Sequence, residues 1–286
     1  MTWFPRLLSF TGRRCSLPGV QRIIASVYPP NWQTTRYVSG RWARNDGLLM
    51  QLDSRNWIDW NLIFKGDFEP CVSRAIRRTL KQGSVAVDVG ANVGTHSVEM
   101  AEACEPKGQV FAFEPNPGVR VALVENLRIN GFKSAIVRPE AVGEENAKQL
   151  LRIPSPDHQT YSNQGLASLV PLSTPHHVVE VEVVTLDAFF ETQGLHRLDL
   201  VKIDTQGYDA KVIRGMKRCL EKFCPVIIFE YEKWAWKEAG ESLESLSCWL
   251  CARGISLYDL EQYPKSCSPL QLDTVPDHAD LIATRT

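Results

Sequence analysis

No uninterrupted apolar run reaches the length of about 18–20 residues that a membrane-spanning helix needs, so no transmembrane segment is expected. An excess of charge is missing as well: 32 Lys and Arg stand against 33 Asp and Glu, a formal net charge of -1. A balance so near zero gives no global attraction to nucleic acid, and no nucleic-acid partner is expected. The chain also lacks a zinc-finger or disulfide pattern. Its 8 cysteines are scattered, only Cys248 and Cys251 form a C-x-x-C, and no second such pair or His pair stands at metal-ligand spacing. That pair falls in a helical stretch, where small apolar side chains pack. No secretory h-region is visible, so a reducing compartment, the cytoplasm, is the expected location.

Residues 1–45 contain no acid, yet carry Arg6, Arg13, Arg14, Arg22, Arg36, Arg41 and Arg44. This pattern mimics a mitochondrial transit peptide. It equally suits a basic helical arm that packs on the domain or touches a membrane surface. The arm is preferred, because Leu17-Pro18-Gly19 leads straight into the apolar segment Val20 to Val27. Residues 1–69 read as an N-terminal extension and residues 70–286 as the main domain.

With 44% hydrophobic and 23% charged residues, the composition is that of an ordinary globular protein. In the extension, Leu48 to Leu52 reads as a short strand and Trp57 to Phe64 as an aromatic-rich turn. Pro70 suits the first turn of a helix carrying Val72, Ala75, Ile76 and Leu80 at helical spacing. Short apolar runs at Val85–Val89, Gln109–Glu114, Ala135–Arg138, Leu198–Asp204 and Pro225–Glu230 read as buried strands. Helices are expected at 94–104, 119–130, 208–220 and 243–250, and further strands at 255–260 and 280–283. Pro139 suits a sheet edge. Residues 144–177, rich in Pro, Ser, Gln and His, read as a long variable loop flanked by two β-like pieces, 150–153 and 178–184. Repeated βα units imply an α/β fold, a mostly parallel sheet with helices on both faces. Such sheets bind ligands at the carboxyl ends of their strands.

The sharpest motif is Val87-Asp88-Val89-Gly90-Ala91-Asn92-Val93-Gly94, which joins a buried strand to a helix. Gly90 and Gly94 would let the backbone come close to a ligand. Their spacing is not the G-x-G-x-x-G that seats a pyrophosphate. Asp88 at the strand end would repel a pyrophosphate and attract a cation. S-adenosylmethionine offers an ammonium and a sulfonium, and its carboxylate can take helix N-terminal N–H groups near Thr95. Glu114 ends the next strand, where a carboxylate can accept both hydroxyls of a ribose.

These residues support a family resemblance. V-D-V-G-A-N-V-G, F-E-P-N at Phe113 to Asn116, V-T-L-D at Val184 to Asp187, K-I-D-T-Q-G-Y-D at Lys202 to Asp209 and I-I-F-E at Ile227 to Glu230 together resemble the FkbM family of S-adenosylmethionine-dependent methyltransferases. The resemblance spans about Leu48 to Leu260. It implies a Rossmann-like class I methyltransferase fold with a seven-stranded, mostly parallel sheet and one reversed edge hairpin. It also implies O-methylation of a hydroxyl-bearing small molecule, sugar or glycan. By matching positions, Asp88, Gly90, Asn92 and Gly94 would line the cofactor, Glu114 would hold its ribose, and Glu140, Ala141 and Val142 would lie near its adenine. Thr95, His96 and Asn116 are further candidates for the cofactor site, with a plain helix-surface position as the preferred alternative for His96. The family commonly has Glu where this chain has Gln206, which argues against a required carboxylate there.

Methyl transfer to an alcohol needs positioning and a place for the hydroxyl proton. Asp204 is the first candidate for base, Glu230 the second, and Lys202 a pairing or substrate-contacting group. Asp204 and Glu230 together could bind Mg²⁺ through oxygen, but no third ligand is evident and the metal-free reading is preferred. His158, His176 and His177 lie in the variable loop and are weaker candidates. Gln206, Trp234 and Trp236 are expected at the acceptor, where aromatic faces suit sugar rings; packing on the N-terminal arm is the alternative for the tryptophans. Two rival readings share the strand–turn–helix: a nicotinamide oxidoreductase and a non-catalytic cofactor-binding protein.

Overall fold

The computed structural model describes residues 3–14, 19–31, 33–155, 166–171, 176–264 and 268–285. Cys15, His158 and Cys267 lie outside the described residues.

Seven strands form the central sheet. They are β3 (Val85–Val89), β4 (Gln109–Phe113), β5 (Ala135–Arg138), β9 (Leu200–Ile203), β10 (Val226–Glu232), β11 (Ile255–Asp259) and β12 (His278–Arg285), in the order β11-β12-β10-β9-β3-β4-β5. All pairings are parallel except those of β12, which runs antiparallel to both β10 and β11. β5 is an edge strand, which leaves room for Pro139 after it. The order reverses beside β3, so the loops after β3 and β9 open a crevice at the carboxyl ends of the strands.

Successive strand residues face opposite sides of the sheet. Val87, Val89, Phe111, Phe113, Ile203 and Phe229 pack with helices α7 (Leu186–Thr192), α8 (Asp209–Arg214), α9 (Lys217–Phe223) and α11 (Leu243–Cys251). Ala86, Val110, Leu200 and Ile228 pack on the other side, with α4 (Pro70–Thr79) and α5 (Thr95–Cys104). This second core also takes in Met50, Leu52, Trp60, Ile63 and Phe64. The N-terminal residues therefore share a core with the sheet. They form α1 (Trp3–Arg14), α2 (Val20–Val27), the hairpin β1 (Ser39–Ala43) and β2 (Leu49–Asp53), and α3 (Trp57–Phe64).

Four local expectations are corrected. Trp57 to Phe64 is a helix, not an aromatic turn, because the Asn56 side chain accepts from the backbone N–H of Ile58 and Asp59 and starts it. The described part of the variable segment is a second sheet, in which β6 (Ala141–Val142) and β7 (Ala147–Pro154) flank β8 (His176–Val184). The helix expected over 208–220 is two helices, α8 and α9, parted at Gly215, where an added Cβ would lie 2.0 Å from the Gly143 carbonyl. Residues 186–192 form α7, capped by the Thr185 hydroxyl, where no helix was expected.

Candidate active site

A cavity of about 280 Å³ opens at the carboxyl ends of β3, β4, β9 and β10. Val89, Gly90, Asn92, Glu114, Asp204 and Glu230 contribute to its wall, with Ala141 and Val142 of β6 on one side. Ile58 and Phe68 close another side, and Leu151, Ala167 and Leu169 of the small-sheet region a third.

The turn after β3 is shaped by protein contacts. Gly90 has φ 75°, and an added Cβ would sit 1.9 Å from the Asp204 carbonyl oxygen. Gly94 has φ 89°, and there a Cβ would sit 2.6 Å from Leu123 Cδ1. The glycines were expected to make room for a ligand. Gly90 lines the cavity and also lets two loops meet edge to edge, and Gly94, outside the cavity wall, lets α6 (Pro117–Ile129) pack close. Asn92 takes a left-handed conformation, φ 50°, and its N–H donates to Glu114 Oε2 at 2.8 Å. The Asn116 N–H donates to Glu114 Oε1 at 2.7 Å. Each Glu114 oxygen thus takes one backbone donor and keeps acceptor capacity for a ligand. Burial pushes the Glu114 carboxyl up to about 7, against the two backbone hydrogen bonds that pull it down.

Asp88 and Lys202 are register neighbours on β3 and β9. Both are buried under the turn and neither lines the cavity. The Ser97 hydroxyl donates to Asp88 Oδ2 at 2.5 Å, while Asp88 Oδ1 has no hydrogen-bond partner and lies 3.9 Å from Lys202 Nζ. Lys202 Nζ also reaches Asp204 Oδ2 at 3.3 Å. Burial alone would lower the Lys202 ammonium, but Asp204 and Asp88 outweigh it and raise it well above the usual lysine range. In return, Lys202 and the Gln206 amide outweigh burial at Asp204 and hold its carboxyl below the usual value.

Gln206 has φ 53° and bridges the two candidate carboxylates. Its Nε2 donates to Asp204 Oδ1 at 2.8 Å and to Glu230 Oε2 at 3.3 Å. Burial, then the Asp204 charge, raises Glu230 far above an ordinary carboxylic acid. The loop is held from outside as well. The Ser168 hydroxyl donates to the Gln206 carbonyl at 2.8 Å, and Gln149 Nε2 donates to the Tyr208 hydroxyl at 3.0 Å.

Several expected residues stand elsewhere. His96 and Thr95 are buried in α5 and do not line the cavity. His96 Nε2 lies 2.9 Å from Glu69 Oε2, and its Nδ1 lies 3.3 Å from Glu99 Oε2. Arg44 joins Glu99 from the N-terminal region. Asn116 is the cap of α6, its Oδ1 accepting from Gly118 N at 3.0 Å. Trp236, expected at the acceptor, is 1% exposed and packs on Phe229 and Tyr231 in the core. Trp234 is 55% exposed and is not itself part of the cavity wall; its indole N–H donates to Glu232, which is. Glu140 lines the cavity beside Ala141 and Val142, where it was expected; Glu69, Glu232 and His278 also line it and were not foreseen. Glu69 sits at a left-handed helix start before Pro70, φ 51°, a hint the sequence held only in the proline. His278 Nδ1 lies 3.7 Å from Glu230 Oε1, delivered by the reversed strand β12.

Among the described residues, no group of three or more His, Cys, Asp or Glu side chains is placed to hold a metal ion. Six carboxylates line the cavity (Glu69, Glu114, Glu140, Asp204, Glu230 and Glu232) and no lysine or arginine does, among the described residues. Such a wall suits a cationic ligand and disfavours a diphosphate. Asn92 Oδ1, on the same wall, is buried and has no partner within the protein.

The strand order, the reversed β12 and a cleft at the switch point define a Rossmann-like class I methyltransferase fold. The model of the methyltransferase FkbM domain matches residues 88–260, more than half of the chain, and the chain belongs to that family. It is 27% identical over 161 residues to the hexuronic acid methyltransferase AglP of Haloferax volcanii, covering 56% of this chain and 61% of that one. It is 28% identical over 202 residues to the 2-O-methyltransferase NoeI of Sinorhizobium fredii, covering 64% of this chain and 78% of that one. A solved structure of a methyltransferase FkbM from Methylobacillus flagellatus is similar at a TM-score of 0.43 and 13% identity, covering 78% of this chain and 52% of that one. The chain thus spans less than two thirds of the AglP length. No described helix is long and apolar enough to cross a membrane.

Proposed function

We propose that the protein is an S-adenosylmethionine-dependent O-methyltransferase acting on a hydroxyl of a sugar or glycan. The observation that carries this is the carboxylate-lined cavity after β3, in which Glu114 offers free acceptor positions beside the unpartnered Asn92 Oδ1. Family membership supports the donor, the hexuronic acid methyltransferase AglP supports a sugar acceptor, and the 2-O-methyltransferase NoeI supports transfer to oxygen.

When bound, S-adenosylmethionine would supply an electrophilic methyl group. Glu114 would hold its ribose diol, Asn92 would accept a further hydrogen bond, and Ala141 and Val142 would give an apolar seat for its base. Leu151 and Leu169 supply apolar cover over the opening and keep water from the reacting atoms. The acceptor hydroxyl then needs somewhere to send its proton. Asp204, held ionised by Lys202 and Gln206, is a weak base but a fixed acceptor that orients the hydroxyl. Glu230, raised by burial and by Asp204, is the better proton acceptor once ionised. Gln206 keeps the two carboxylates at fixed separation by donating to both. A cavity of this charge favours a neutral acceptor over a carboxylate-bearing one, unlike the acceptor in the name of AglP.

The test is methyl transfer from labelled donor to matched neutral and uronic sugars, with binding measured in parallel. Label on the hydroxyl of neutral sugars, with S-adenosylhomocysteine bound and NAD ignored, is the expected result. Binding of S-adenosylhomocysteine without transfer to any hydroxyl would favour the non-catalytic reading. Binding of NAD instead would remove the methyltransferase reading altogether.

A further inference from the structure

Helix α1 is inside out for a helix on a globular protein. Pro5, Ser9 and Gly12 form its buried face, while Leu7 and Phe10 are 50% and 54% exposed. The inner face is small because the helix lies almost on the backbone of α3. An added Cβ at Gly12 would sit 2.4 Å from the Phe64 carbonyl oxygen, and the Ser9 hydroxyl donates to the Ile63 carbonyl at 2.6 Å. Arg13 fastens the same contact, its Nε donating to the Ile63 carbonyl at 3.0 Å and its Nη2 to the Leu62 carbonyl at 2.9 Å. The helix is therefore an integrated part of the fold: Leu8 packs against the core, while Phe4, Leu7 and Phe10 are left outside.

What surrounds those side chains is of one sign. Arg6, Arg14 and Arg22 are exposed, and residues 1–45 contain no carboxylate side chain. Ile23, 63% exposed, extends the apolar surface onto α2 beside Arg22. The Arg14 guanidinium lies over the Phe10 ring at 4.3 Å, so cation and apolar group occupy one patch. Aromatic and aliphatic groups ringed by arginine match the boundary between acyl chains and anionic headgroups.

We propose that the outer face of α1 and α2 is a docking surface for an anionic lipid bilayer. Leu7, Phe10 and Ile23 enter the acyl boundary, and Arg6, Arg14 and Arg22 pair with headgroup phosphates and carboxylates. The net charge of -1 is compatible with this, because residues 1–45 carry seven arginines and no acid, and the acids all lie in the rest of the chain. Helix α3, on which α1 lies, also gives Ile58 to the cavity wall, so the docked face and the cleft share one supporting element. The inference stands apart from the methyl-transfer reading, since it needs no donor and no turnover.

The test is co-sedimentation of the full chain with vesicles of phosphatidylcholine alone and of phosphatidylcholine mixed with phosphatidylserine. Binding is expected to the mixed vesicles only and to fall as salt is raised. Leu7→Ser with Phe10→Ser and Ile23→Ser should abolish it. Each of Arg6→Gln, Arg14→Gln and Arg22→Gln should lower the partition coefficient by about fivefold, since one basic residue near such a surface contributes about 1 kcal/mol. The salt series on the unaltered chain needs no variant and keeps the test independent of folding. Absence of binding to mixed vesicles overturns the proposal. So does binding unaffected by the apolar triple change, or an unaltered chain that self-associates through this face and loses self-association in that triple variant.

Discussion

Glu114 Oε2 accepts the backbone N–H of Asn92 at 2.8 Å, which ties the end of β4 to the turn after β3. The sheet brings these two strands side by side, and this contact sets the spacing between turn and carboxylate before any ligand arrives.

Donor affinity should therefore depend on Glu114 and on pH together. Glu114→Gln keeps the shape but loses charge-assisted bonds worth about 1.5–3 kcal/mol each, so affinity for S-adenosylhomocysteine should drop roughly 10–100-fold. In the unaltered protein burial pushes the carboxyl up to about 7, and in the proposed role only the ionised form would accept from both ribose hydroxyls. Affinity should be full above that pH and decline as pH falls through it. Calorimetry across the range checks both points; an affinity indifferent to the substitution would remove Glu114 from the donor site.

Asp204 and Glu230 should separate chemistry from binding. Asp204→Asn and Glu230→Gln are each expected to lower kcat by about 10²–10⁴-fold, the usual contribution of a positioned acid–base group, with donor affinity nearly unchanged. Because Glu230 is raised, kcat of the unaltered enzyme should climb toward alkaline pH and Glu230→Gln should flatten that climb. An intact climb in Glu230→Gln would assign the proton to another group.

The buried pair His96 and Glu99 should matter to stability more than to turnover. Burial alone would lower the His96 imidazole, but Glu69 and Glu99 outweigh it and raise it to about 9. Burial would raise Glu99, but His96 and Arg44 outweigh it and hold it at about 2. The imidazolium contribution is complete below its ordinary 6.5 and lost as pH rises through 9; the carboxylate contribution is complete above its ordinary 4.5 and lost as pH falls through 2. The pair is thus most stabilising between 4.5 and 6.5. His96→Gln should cost about 1.5–3 kcal/mol, since it removes charge-assisted hydrogen bonds to Glu69 and Glu99 while Arg44 and Ser73 still partner Glu99. Urea titrations at acidic and alkaline pH would measure it, and a loss larger at alkaline pH would contradict the assignment.

Two glycines offer a matched comparison. At Gly131, φ 77°, an added Cβ meets nothing within 4 Å, whereas at Gly90, φ 75°, it meets the Asp204 carbonyl. Gly131→Ala should cost only the left-handed penalty of about 1–2 kcal/mol. Gly90→Ala should cost that and also displace the Asp204 loop, so donor binding and turnover should both fail. Thermal melts and calorimetry of the two variants compare directly; equal behaviour would show that the loops can part without loss.

The buried strands were legible because each is a short apolar run between turn residues, as at Val85–Val89 and Pro225–Glu230. Glu114, Asp204 and Glu230 were legible because they follow such runs. Trp236 was misplaced because a tryptophan one turn past a strand end looks the same whether it faces cleft or core. Only its packing on Phe229 decides. Glu69 and His278 were missed because one lies before the first strand of the sheet and the other on the last, brought to the cavity by tertiary packing. The strands β7 and β8 were legible as the β-like pieces 150–153 and 178–184, but their pairing with β6 into one small sheet was hidden, because the partners are separated by polar sequence.

Strand β12 follows both β10 and β11 in the chain yet sits between them, and it carries His278 and Asp280 toward Glu230. During synthesis the sheet must keep a vacant slot until residues 278–285 emerge from the ribosome, and the acidic corner of the cleft takes its final form only then.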